Sequence, residues 1–328
     1  MSRYSGRGAE YGREQVHEAV GNREARETLE PSLVPGDTHS IRRVAEHLVR
    51  TRARRFSDPE PDVVRPGANG TGDAPEPALR AIADLHAASR GNRDIVAGLR
   101  PEHPGDWLIV AGDVAERLAD VADVLATLAE RFARVLWVPG NHELWGGREG
   151  VDGVPAPARY DVMVEVCRQL GIDTPEDPFP VWDGAGGPAY VVPLFLLYDY
   201  SWRPDPAQSR AEAVASARER RVVATDEYLI DPAPFSSIGA WCEDRLRRTT
   251  ARLAALDPAI PTVLVNHWPL HREPTRALFY PDFAMWCGTE HTVQWPLRYN
   301  AAACIYGHLH IPRTRLVKGV RYEEVSLG

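Results

Sequence analysis

Five short blocks of aspartate, asparagine and histidine punctuate this chain, and four of them directly follow an apolar run rich in β-branched residues. The blocks are Asp84-Leu85-His86, Gly112-Asp113, Gly140-Asn141-His142-Glu143, Asn266-His267 and Gly307-His308-Leu309-His310. The chain has 11 histidines in 328 residues, and His86, His142, His267, His308 and His310 all fall in these blocks. Polar residues that follow strands converge on one crevice outside the carboxyl ends of a sheet. The pattern therefore requires alternating strands and helices, with a polar site at one end of the strands.

Composition narrows the class further. A hydrophobic fraction of 44% and a charged fraction of 26% are ordinary for a globular protein. The formal charge of -8 argues against a nucleic-acid partner, whose binding surface is basic. Cys167, Cys242, Cys287 and Cys304 are scattered, with no paired spacing that suggests a zinc knuckle or a disulfide framework. Residues 1–30 are polar and carry no apolar core of a signal peptide, and no run approaches the roughly 18 apolar residues of a membrane span. A cytoplasmic protein without a membrane partner is expected; oligomeric state leaves no trace.

Residues 1–78 read as an N-terminal extension, partly helical and linker-like, before a catalytic domain over 79–328. The stretches Pro59-Glu60-Pro61-Asp62 and Pro66-Gly67-Ala68-Asn69-Gly70-Thr71-Gly72 are turn or linker sequence. Between residue 40 and about 55 a helix is expected, capped by Ser40, with Ile41, Val44, Ala45 and Leu48 on its apolar face. Arg42, Arg43, Arg50, Arg52, Arg54 and Arg55 would form its other face, either solvated or docking an anionic partner. Strands are predicted at 79–83, 107–111, 135–138, 190–197, 262–265 and 302–306, with a terminal hairpin turned at Lys318-Gly319. Helices are predicted over 116–132, 158–170, 208–222 and 237–256.

The blocks carry the chemistry of a two-metal site. Asp84 and His86 are two apart, as are His308 and His310, and on a strand such pairs point to one face. Asp113 has two carboxylate oxygens and can bridge two cations. Asn141 adds a neutral carbonyl oxygen and His267 another imidazole. Seven candidate ligands of mixed nitrogen and oxygen type suit manganese, iron or zinc better than magnesium or calcium. His142 adjoins Asn141 and can donate a proton, with Glu116 placed to hold its tautomer.

In this order the blocks resemble the calcineurin-like metallophosphoesterase superfamily, whose pattern reads D-x-H, G-D, G-N-H-[DE], a lone histidine and G-H-x-H. The resemblance covers about 84–310. It implies a four-layer αββα sandwich, an α/β (α+β) fold in which two mixed sheets are flanked by helices. It also implies one metal held by Asp84, His86, Asp113 and His310, and a second by Asp113, Asn141, His267 and His308. His142 would be the proton donor, Glu116 its partner, and a bridging hydroxide the attacking group. The stretches 106–116, 196–201 and 307–313 look more closely like the actinobacterial phosphopantetheinyl hydrolases, which remove 4′-phosphopantetheine from holo-carrier proteins. That likeness implies a phosphodiesterase with an acyl or peptidyl carrier protein as substrate. The alternative is a metallophosphoesterase acting on a nucleotide, a cyclic nucleotide or a specialised-metabolite ester.

Substrate contacts are expected from three regions. Tyr198 lies in an aromatic-rich segment after a buried strand. Tyr280 and Trp286 lie between the last two ligand blocks and could line a channel for a long uncharged arm. Arg298 and Arg313 flank the Gly-His-Leu-His block and could clamp a phosphate.

Overall fold

The computed structural model describes residues 33–52, 76–146, 152–206 and 208–327. The linker stretches between 59 and 72, together with Arg54 and Arg55, lie outside the described residues. Three mainly apolar segments form the first sheet: β1 (Leu79–Ile82), β2 (Trp107–Val110) and β3 (Arg134–Trp137). They pair in parallel in the order β1-β2-β3. The second sheet holds β4 (Val181–Trp182), β5 (Ala189–Pro193), β6 (Thr262–Val265), β7 (Ala301–Tyr306), β8 (Arg313–Val317) and β9 (Val320–Glu324). Its order is β4-β5-β6-β7-β9-β8. The pairs β5-β6, β6-β7 and β7-β9 are parallel, and the outer pairs β4-β5 and β8-β9 are antiparallel. The second sheet is thus mixed as expected, while the first is parallel throughout, because every connection within it runs through a crossover helix.

Side-chain alternation stacks the layers. Ile109, Leu136 and Val138 from the first sheet meet Val191, Val265 and Ile305 from the second in one buried cluster between them. Their sequence neighbours Leu108, Val110, Val135 and Trp137 face the opposite way, into helices α3 (Leu118–Ala129) and α4 (Ala156–Gln169). Val192, Leu264, Cys304 and Tyr306 pack outward beneath Leu253 of α7 (Ile238–Leu253) and Trp295 of α8 (Trp295–Arg298). Strands buried on both faces read as continuous apolar runs, and for this reason they were legible. The chain end joins the two sheets: Ala83 bridges Ser326, with Ala83 N–H donating to Val325 O and Leu327 N–H donating to Ala83 O. Three further helices of this domain are α2 (Arg90–Gly98), α5 (Arg210–Glu219) and α6 (Asp226–Leu229). No helix of the described residues is long and apolar enough to cross a membrane.

The helix of the extension, α1 (Thr38–Thr51), packs against α3 and α4. Ile41, Val44, Ala45 and Leu48 are buried in the same core cluster as those helices. Its cap is Asp37, whose carboxylate accepts from His39 N–H at 3.2 Å and Ser40 N–H at 3.0 Å. The Ser40 hydroxyl instead donates to backbone carbonyls of Val34 and Asp37. Aspartate accepts as well as serine at this position, and Asp37 sits one turn earlier, so the helix begins before the predicted start. Arg52 is tied to Glu130, past the end of α3.

One buried carboxylate fastens β1 to β2. Asp106 accepts from Ala78 N–H at 2.8 Å, Glu102 N–H at 2.9 Å, His103 N–H at 3.2 Å and Arg80 Nε at 2.7 Å. Burial disfavours its charge, yet the backbone donors and Arg80 overcome this and hold the carboxyl below its usual range. A depressed carboxyl stabilises fully above its unfolded value, near pH 4, and loses that contribution as pH falls through the folded value. Asp106→Asn is expected to lose about 2 kcal/mol at pH 7 in urea unfolding, with the gap to wild type narrowing in acid. Identical midpoints at pH 7 would refute the account.

Candidate metal centre

Every predicted block lies just past the carboxyl end of a strand. Asp84 and His86 follow β1, Asp113 follows β2, Asn141 and His142 follow β3, His267 follows β6, and His308 and His310 follow β7. Because β1 to β3 are parallel, as are β6 and β7, these ends gather along one edge of the sandwich. The expected strand pleat does not align the pairs. Asp84, His86, Asp113, His308 and His310 all adopt left-handed backbone, with φ of 54°, 38°, 55°, 70° and 51°. Non-glycine residues rarely sit there, and aspartate and histidine tolerate it better than most. Such strain persists only where the surroundings enforce it, and it clusters at functional sites. Each turn folds the chain back so that its side chain enters the crevice. The neighbouring glycines make room: a Cβ at Gly140 would collide with the Asp113 carboxylate, and one at Gly307 with that of Asp84.

The side chains converge closely. His310 Nε2 lies 3.2 Å from Asp84 Oδ1 and 3.3 Å from His86 Nε2. His267 Nε2 lies 3.3 Å from Asp113 Oδ2 and 3.2 Å from Asn141 Oδ1. His308 Nδ1 is 3.0 Å from that same Asn141 oxygen. His142 Nε2 is 3.8 Å from Asp113 Oδ2, and its Nδ1 is 3.0 Å from Glu116 Oε1. Asp84, His86 and His310 form one group of mutually close ligand atoms, and Asp84, Asp113 and His267 form another. Asp84 belongs to both groups, and Asp113 is buried beside it.

A cation resolves the electrostatics of this arrangement. His267 Nδ1 lies 2.8 Å from Ala111 O, a geometry that places its proton on that nitrogen. In the neutral ring, Nε2 then turns a lone pair toward the oxygens of Asp113 and Asn141. Two nitrogens likewise face each other across His86 and His310. Lone pairs aimed at one another in a buried site repel unless a proton or metal lies between them. The mixed nitrogen and oxygen donors, with two buried carboxylates to neutralise charge, fit borderline divalent ions. Without metal, burial and nearby imidazolium charge depress His308 to about 3 and His86 to about 4. Burial opposes charge on His267 as well, but Asp113 overrides it and raises that ring to about 10. Asp84, raised by burial and lowered more strongly by His310 and His267, rests at about 2. His142 is also disfavoured by burial, but Asp113 and the Glu116 hydrogen bond lift it to about 9.

Several supporting residues carried no role in the sequence. Glu143 stood in a predicted block, and its buried carboxylate accepts from Asp113 N–H at 3.1 Å, Val114 N–H at 2.8 Å and Gly140 N–H at 2.9 Å. It staples the ends of β2 and β3 together. Asn266 clasps the backbone of Leu196 in both directions and donates to Trp268 O. Ser326 donates to Asp84 Oδ2 at 2.9 Å. Asp226 accepts from Asn141 Nδ2 at 3.1 Å and from Trp145 Nε1 at 2.7 Å. Asn266 and Glu143 adjoin motif residues and could have been flagged; Ser326 and Asp226 lie far along the chain with no local signature.

The proposed substrate contacts divide. Tyr198 is fully buried against Tyr200 and Trp268. Trp286 is 1% exposed and donates to Glu227 at 2.8 Å. Both rings are packed in the core, and neither faces solvent. Arg313 donates from Nη2 to Pro274 O at 2.6 Å. Arg298 lies over the ring of Tyr299 at 5.4 Å. Tyr280 is 39% exposed and pairs edge-on with the exposed Phe279. Rings that do reach the site are Phe283, stacked 5.9 Å from His308, Trp268, 5.7 Å from the same imidazole, and Trp145, 3.6 Å from His142.

Comparison with known proteins agrees with this geometry. The family model for calcineurin-like phosphoesterases matches residues 79–312, the span from β1 to the last histidine block. This chain is a calcineurin-like metallophosphoesterase. Such enzymes are metal-dependent phosphoric ester hydrolases with two sheets flanked by helices. The [acyl-carrier-protein] phosphodiesterase PptH of Mycobacterium tuberculosis is 56% identical over 253 residues, covering 77% of this chain and 78% of that protein. The crystal structure of phosphopantetheinyl hydrolase (PptH) from Mycobacterium tuberculosis matches with a TM-score of 0.75 at 55% identity. It covers 78% of this metallophosphoesterase and 90% of the solved chain.

Proposed function

We propose that this metallophosphoesterase is a phosphodiesterase that releases 4′-phosphopantetheine from a holo-acyl carrier protein. The observation that carries the reading is the 56% identity to a protein named for that activity, over 253 residues. Asp84, His86, Asp113 and His310 would hold one metal, and Asp113, Asn141, His267 and His308 a second, with Asp113 shared. Manganese or iron suits this donor set, and zinc also fits it. Two bound divalent ions would supply Lewis acidity and lower the pKa of water.

The chain's own groups do the rest. The buried carboxylates and imidazoles would hold the cations that neutralise the substrate's phosphate at the strand ends. His142 keeps Nδ1 engaged with Glu116, leaving Nε2 toward Asp113 and the crevice. Burial opposes its charge, but without metal Asp113 and the Glu116 hydrogen bond raise its pKa to about 9; with cations on Asp113, the Glu116 hydrogen bond is what favours the protonated ring. Nε2–H can therefore pass a proton to the departing alkoxide of the carrier, while Glu116 stabilises the ring. The test is incubation of manganese-loaded enzyme with holo-carrier protein, followed by intact-mass measurement. The expected result is a shift to the mass of the apo-carrier. An unchanged carrier, with rapid hydrolysis of another phosphodiester, would overturn the substrate while leaving the chemistry in place.

A further inference from the structure

Asp226 lies at the start of α6, 85 residues beyond Asn141, yet it faces the back of the metal centre. It is 3% exposed. Its Oδ1 accepts from the side chains of two residues in one short stretch, Asn141 Nδ2 and Trp145 Nε1. The first contact decides which way the Asn141 amide points. A carboxylate accepts only, so the NH2 end must face Asp226 and the carbonyl oxygen must face away. That oxygen lies 3.2 Å from His267 Nε2 and 3.0 Å from His308 Nδ1. With the amide reversed, two N–H donors would point into the second cation's place and repel it. The second contact fixes the indole of Trp145, whose ring lies 3.6 Å from that of His142. One buried carboxylate therefore orients both a proposed metal ligand and the surface beneath the proton donor.

We infer that Asp226 is a positioning residue that sets the Asn141 amide for metal binding at the second site. The inference rests on the ligand assignment proposed above. Partners of metal ligands typically change affinity by roughly 10- to 100-fold when removed. Asp226→Leu keeps much of the side-chain volume but has no acceptor, so Asn141 is free to rotate. Asp226→Asn keeps an oxygen that can accept in the same place. Trp145→Phe removes only the indole donor.

The decisive measurement is calorimetric titration of metal-stripped full-length enzyme with manganese(II), which reports each site's affinity without any substrate. In Asp226→Leu, one of two sites should weaken by roughly 10- to 100-fold, while the other stays as in wild type. Asp226→Asn and Trp145→Phe should remain within a few-fold. Asn141→Ala should weaken the same site, and adding Asp226→Leu to it should cause little further loss, since both act through one amide. Equal weakening of both sites, or full additivity in the double variant, would overturn the inference in favour of a general structural role. Unchanged affinities in folded Asp226→Leu would also overturn it. Should that variant not fold, Asp226→Glu replaces it. Its oxygen is displaced by a methylene, so it should weaken one site where Asp226→Asn does not, and equal affinities in both would count against the inference. A wild type that binds fewer than two ions would instead sink the ligand assignment.

Discussion

Asp113→Asn is expected to lose both metals and all measurable turnover, although the substitution changes one atom. Asp113 Oδ2 lies 3.3 Å from His267 Nε2 on one side and 3.8 Å from His142 Nε2 on the other, while Oδ1 accepts from His142 N–H at 2.9 Å. Asp84 also lies near both ligand groups, but in the proposed assignment Asp113 is the carboxylate that both cations share. An amide would supply a single neutral oxygen in place of two charged ones, leaving each cation short of charge and ligands. Elemental analysis after purification in manganese should find near-zero metal in the variant. Activity on bis-p-nitrophenyl phosphate should fall by at least about 10³-fold, as expected when charge stabilisation of the transferring group is removed. Stoichiometric metal in Asp113→Asn would show that this carboxylate is not shared.

His142→Ala is expected to separate metal binding from proton delivery. The ring is buried and held by Glu116 at 3.0 Å, and the proposed ligand sets do not include it. Both metals should therefore remain. Hydrolysis of a diester with an alkyl leaving group should slow by roughly 10²- to 10⁴-fold, the usual worth of a general acid. An aryl diester, whose leaving group departs unprotonated, should slow far less. Glu116→Gln should show the same selectivity at a smaller size, because it weakens the hold on His142 without removing it. Equal losses on alkyl and aryl esters would assign His142 to metal or phosphate binding instead. The two substitutions also discriminate between each other's failures, since one is read by metal content and the other by leaving-group dependence.

The legible part of this protein was what local sequence controls. The strands of the sandwich interior are mainly apolar, so β1, β2, β3 and β6 stood out within a residue or two of their observed limits. Helix α3 carried the 3.6-residue period; α3, α5 and α7 lie just inside their predicted spans, and α4 begins two residues before its own. The strand at β5 was read too long: beyond Pro193, Leu194 to Leu197 stay buried without pairing as strand, and burial alone cannot separate strand from packed coil. The burial of Tyr198 and Trp286 was hidden for a related reason. An aromatic ring near a ligand block looks the same in sequence whether it faces solvent, substrate or core.

The ligand types, their order and their position after strands are properties of the linear chain, so the metal chemistry could be derived before any fold was known. Three-dimensional packing alone decided how the ligands meet. Left-handed turns at Asp84, His86, Asp113, His308 and His310 aim the side chains, and no local preference would choose them without the surrounding sheets to enforce the strain. Distance along the chain hid the second set of partners. Ser326 reaches Asp84 from 242 residues away, and Asp226 reaches Asn141 from 85. Such contacts depend on how two sheets and their helices close around a common core, and that closure sums many weak interactions that no short motif records.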